Sequence, residues 1–178
     1  MAEKQESSVT DSVQKLFVEA KPGAGEVADA AEHAVYTVLA ELARGGEVTG
    51  EAIGAAASGI VRGVKKAVCP TWHASRGALV GVIHAAGGAG GDVPEAIRTA
   101  TSTLVRETAA MDGDFGAVAK GAVQGCIQGA EERGLDIDEC AHVAAEAALQ
   151  AAEGLRPSAV VKVRYAVGGS VDGIPTGL

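Results

Sequence analysis

Aromatic side chains are scarce in this chain: 3% of 178 residues, amounting to one tryptophan, two tyrosines and two phenylalanines. That excludes a core built on large rings. Stability has to come from many close contacts between small groups, because apolar burial yields only about 25 cal/mol per Å². Three widely spaced cysteines, Cys69, Cys126 and Cys140, exclude a disulfide framework. Cations are in deficit as well, with 15 Lys and Arg against 23 Asp and Glu and a net charge of −8. Nucleic-acid binding needs a basic face, so no nucleic-acid partner is expected. No apolar run approaches the length of a transmembrane helix. The polar start "MAEKQESSVTDS" lacks the basic-then-apolar pattern of a secretory signal. The expectation is a cytoplasmic protein with no transmembrane segment.

What is present is alanine and glycine, 36 and 25 residues, and a strict period. Bulky apolar pairs recur every 22 residues: Leu16-Phe17, Val38-Leu39, Ile60-Val61, Val82-Ile83, Leu104-Val105, Cys126-Ile127 and Ala148-Leu149. Four residues before each pair stand Ser12, Ala34, Ala56, Ala78, Ala100, Ala122 and Ala144. Within a unit the apolar spacing is helical, as in Phe115, Val118, Ala119, Ala122, Val123, Cys126, Ile127 and Ala130. Turns read "GEV", "GGEV", "GGDV", "GDF" and "GLDI": glycine ends one helix and an acidic residue opens the next.

The pattern predicts an all-α fold of seven short antiparallel helices at 8–20, 26–43, 49–67, 73–87, 94–111, 114–132 and 137–153. They would form 44-residue helical hairpins, stacked as a solenoid or closed as a bundle. Residues 1–24 read as an N-terminal helix and linker, 25–155 as the repeat domain, and 156–178 as a C-terminal strand and glycine-rich tail. Glycines four apart (Gly59 and Gly63; Gly77 and Gly81; Gly121, Gly125 and Gly129) predict close antiparallel helix packing. In "SAVVKVRYAV" the alternation of Val161, Val163, Tyr165 and Val167 with Lys162 and Arg164 predicts a β-strand. A lone strand needs a partner, supplied by a second copy or by another protein through strand addition.

The rare residues gather in "VCPTWHASRG", residues 68–77. Cys69-x3-His73 has the residue types of a metal pair or a nucleophile–base dyad, with Trp72 between them. His33, near the glycine groove, is the further candidate for a site here. The register assigns the segment to an inter-helix turn, in which Pro70 breaks one helix and Thr71 caps the next. Cys126 and Cys140 fall at core positions. His84 aligns with Arg62, Arg106 and Gln128, and His142 with Arg76, Arg98 and Lys120, which assigns both to a solvated face. Glu139-x-x-His142 occurs once, short of the paired motifs of a di-iron bundle. "GGAGGDV" lacks the preceding strand and following lysine of a phosphate loop.

The units "GDVPEAIRTATSTLVRETAA" and "GDFGAVAKGAVQGCIQGAEERG" resemble bacterial alanine- and glycine-rich helical-repeat proteins grouped as a domain of unknown function. The resemblance spans about residues 25–155 and implies a bacterial, mostly helical fold, with no activity attached. The sequence therefore predicts a non-enzymatic, homo-oligomeric scaffold or adaptor. It would dock a partner protein through Val161, Val163, Tyr165 and Val167 and call for no cofactor. The alternative is a helical bundle holding a metal or a small apolar cofactor near Cys69, Trp72, His73 and His33.

Overall fold

The computed structural model describes residues 2–46 and 48–178, the side chains from residue 4 onward. Among them are eight helices: α1 (Ala2–Glu19), α2 (Val27–Gly45), α3 (Gly50–Ala67), α4 (Thr71–Gly88), α5 (Val93–Ala110), α6 (Phe115–Arg133), α7 (Ile137–Glu153) and α8 (Pro157–Val167). The first seven fall on the seven expected units. All six alanines of the 22-residue column, from Ala34 to Ala144, are buried. Side-chain oxygens of Asp92, Asp114 and Asp136, themselves 22 residues apart, each accept a backbone N–H three residues on, at 2.9–3.2 Å. Thr49 does the same for α3. These bonds satisfy N–H groups that a helix start leaves without partners. Glu47, the acidic residue of "GGEV", lies outside the described residues.

The helices form two layers. Odd-numbered helices pack in one row, α1 on α3 on α5 on α7, and even-numbered ones in another, α2 on α4 on α6 on α8. Every hairpin reverses the chain, so helices within a row run parallel. The glycines make this row packing close. A Cβ on Gly77 would collide with the backbone of Ala28, and one on Gly81 with the Glu32 carbonyl oxygen at 2.7 Å. One 44-residue repeat later, Gly121 faces the backbone of Trp72, and Gly125 that of Arg76. In the other row Gly59 faces Thr10 and Val13, and Gly63 faces Phe17. The expected antiparallel glycine packing is thus corrected. The grooves join parallel next-but-one helices, because the short hairpin turns separate consecutive helices into different layers.

The two ends of the array differ. On α1, Asp11, Ser12, Lys15 and Glu19 are exposed, and Ser12 takes the place of the column alanine where no earlier helix lies against it. At the other end the strand expected over 158–167 is replaced by α8. Pro157 occupies its first turn, where a missing N–H costs nothing. Ala159, Val163 and Val167 are four apart and buried. Spacing by four satisfies an alternation of two as well as a helical stripe, and a helix satisfies its backbone groups internally, whereas a lone strand leaves them open. The β-structure of the tail comes later and is shorter: β1 (Ser170–Val171) pairs antiparallel with β2 (Ile174–Pro175). The turn between them is Asp172-Gly173, both at positive φ. This hairpin is held against α6 and α7. Gln124 Nε2 donates to both Asp172 carboxylate oxygens at 3.0 and 3.1 Å. His142 Nδ1 donates to the Thr176 carbonyl oxygen at 2.7 Å. No helix among the described residues is long and apolar enough to cross a membrane.

Candidate functional site

The rare-residue segment is an α3–α4 joint. Val68 ends α3 in a left-handed conformation, Cys69 and Pro70 follow, and Thr71 is already helical. Thr71 therefore does not cap α4. Pro70 holds the capping position, where Asp92, Asp114 and Asp136 stand in later units, and it provides no side-chain bond. The Trp72 indole stacks on the His73 imidazole, with ring centroids 3.5 Å apart and planes at 29°. Trp72 is partly exposed beside a shallow recess lined by Ala117, Lys120 and Gln124 of α6. Burial pushes the half-buried Cys69 thiol up, so at neutral pH it is a thiol and not a thiolate nucleophile. His33 is exposed on α2. Cys69, His73 and His33 do not come together as three ligating groups; the described residues hold one such cluster, and it lies elsewhere.

The expected docking residues divide between the two faces of α8. Val163 and Val167 are buried against the array, while Val161 and Tyr165 point outward, at 70% and 93% exposure. The helix is fixed in place by Lys162 Nζ, 2.9 Å from Asp114 Oδ1 and 4.9 Å from the centroid of the Phe115 ring. The Lys162 hydrogen bond, with a second from the Ala117 N–H, holds the Asp114 carboxyl below its usual range. Strand addition is not open to this segment, since its backbone is committed to the helix.

The ligating cluster lies on the even row. His84 of α4 sits between Glu32 of α2 and Glu132 of α6, with Nδ1 3.6 Å from Glu32 Oε1 and Nε2 3.0 Å from Glu132 Oε2. Burial raises the Glu32 carboxyl pKa; His84 opposes this, while Glu132 adds to it. Glu132 Oε1 accepts from Gln128 Nε2 at 2.8 Å, and Gln128 Oε1 accepts from Arg76 Nε and Nη2 at 2.9 and 2.7 Å. Tyr36 presents a ring edge-on to His84 at 6.4 Å. His84 is therefore not on a freely solvated face. The 22-residue alignment paired it with Arg62 and Arg106, which belong to the other layer. The 44-residue alignment pairs it with Gln128, and that was the available signal. His142 is exposed as expected, and touches the tail. Cys126 and Cys140 are buried core residues, their thiol pKa values raised by burial.

Neither a family model nor a curated protein matches the chain. Among solved structures it is similar to a de novo designed helical repeat protein, at 21% identity and a TM-score of 0.55 over 93% of this chain and 91% of that one. The likeness is one of fold: a helical-repeat architecture.

Proposed function

We propose that the chain is a non-enzymatic helical-repeat scaffold that self-associates through the outward face of α8. The observation that carries this reading is the pair Val161 and Tyr165, one helical turn apart and exposed on a helix whose other face is buried. In a chain with five aromatic residues, a tyrosine 93% exposed contributes nothing to its own core. Aromatic and arginine side chains are the residue types that anchor interfaces. Arg164, next to Tyr165 and three residues after Val161, is exposed on the same helix. An interface of this kind is isologous, with the same patch on both copies.

The test is the double variant Val161→Ala/Tyr165→Ala. It removes exposed atoms only, so the far-UV spectrum and unfolding midpoint should stay as in the parent chain. Concentration-dependent association, followed by sedimentation velocity, should fall at least tenfold. Unaltered association in the folded variant refutes the α8 interface.

A further inference from the structure

The cluster on the even row has a construction that the scaffold reading does not use and with which it shares no residue. Two of its three side chains follow a glycine contact by three residues. Gly81 presses α4 onto the backbone of Glu32, and His84 stands one turn beyond it. Gly129 receives the Ile83 side chain, and Glu132 stands one turn beyond that. The glycines thus draw α2, α4 and α6 close where the three polar side chains meet. Ligating atoms of Glu32, His84 and Glu132 all lie within 4.8 Å of one another.

Two details separate this cluster from an ordinary surface ion pair. First, His84 Nε2 is closed off from solvent and makes no hydrogen bond, although Glu132 Oε2 is 3.0 Å away. The carboxylate oxygen lies close to the nitrogen without hydrogen-bonding to it, so both keep a lone pair that a cation can take. Second, the fold does not require these residue types. The pair one repeat on from Glu32 and His84 is Arg76 and Gln128, which closes with direct hydrogen bonds. That second pair orients Glu132 through Gln128 Nε2, as an outer hydrogen bond orients a metal-ligating carboxylate.

We propose that Glu32, His84 and Glu132 bind one divalent transition-metal ion of the zinc class. One imidazole nitrogen and two carboxylate oxygens suit a borderline cation better than calcium or magnesium, which prefer oxygen donors alone. Three protein ligands leave a position open to water. Metal–ligand bonds of about 2.0–2.2 Å set donors roughly 3–3.5 Å apart, so the side chains close in by about an ångström on binding. Each is partly exposed, at 22% for His84, 31% for Glu32 and 41% for Glu132, and has room to do so.

The test is calorimetric titration of the metal-stripped full chain with Zn²⁺ near neutral pH, repeated on variants whose fold is checked by circular dichroism. One site per chain is expected. Glu32→Gln and Glu132→Gln should each weaken it by about tenfold or more, and His84→Gln should abolish it. His33→Ala and His73→Ala should leave it unchanged. Titration with Co²⁺ should give a visible absorption band that Glu132→Gln alters; Glu132 is the most exposed of the three, so this arm holds even if His84→Gln fails to fold. The proposal is overturned by the absence of a saturable 1:1 site, by affinity unchanged in both glutamate variants, or by loss of binding in His33→Ala or His73→Ala.

Discussion

Val68 adopts φ 52°, a left-handed conformation in which a β-branched side chain crowds its own backbone. Positions 22, 44 and 66 residues later also have positive φ, and they hold Gly90, Asp112 and Gly134. Val68 is 90% exposed, so nothing is gained from its side chain in return. Replacing it with glycine should raise stability by about 0.5–1 kcal/mol, the strain relieved less the added freedom of the unfolded chain. Urea unfolding measures this, and an unchanged or lower midpoint would count against the strain. The row glycines predict the opposite sign. Gly77→Ala and Gly121→Ala each drive a methyl into the backbone of the neighbouring helix, and each should cost about 2–3 kcal/mol or more. Gly88→Ala, with nothing within 4 Å, should be neutral or mildly stabilising.

The elements were legible in the sequence wherever one period was unambiguous. Seven helices followed from the 22-residue spacing, and the capping aspartates of three of them followed from the turns. α8 was not legible, because Ala159, Val163 and Val167 fit both a strand and a helix. The decision came from tertiary context: α6 and α7 offer an apolar face, and among the described residues no second strand lies beside residues 158–167. The attachment of α8 makes a pH prediction. The folded Asp114 carboxyl has a lower pKa than the unfolded one, so its contribution is present above about pH 4 and fades as pH falls through the folded value. Asp114→Asn keeps a good capping residue and removes the charge. It should be modestly less stable than the parent at pH 7, by no more than about 1 kcal/mol at so exposed a site. The difference should shrink as pH falls through the folded value and vanish once the carboxyl is protonated in both states. A gap that does not shrink on acidification would mean that the Lys162 pair is not its origin.

At the scale of the whole molecule two periods matter, and only the shorter one aligned the side chains in the sequence. The 22-residue period gives one helix per unit but treats the two layers as equivalent. The 44-residue period separates them, placing Gly77 with Gly121, Glu32 with Arg76, and His84 with Gln128. Reading the first period alone therefore found the fold and assigned His84 to open solvent. It also drew attention to Cys69, Trp72 and His73, conspicuous for their rarity, whereas the ligating cluster is made of ordinary residues that only the row packing brings together. The two ends of the array are unlike. A polar α1 closes one end, so the scaffold account leaves association to the apolar pair on α8, the last helix of the even row. Under that geometry the assembly stops at two copies. The molar mass of the parent chain by light scattering, over a range of micromolar concentrations, tests this most directly. The scaffold account predicts a rise towards twice the single-chain mass and no further. A single-chain mass at every concentration, or growth without limit, would contradict it.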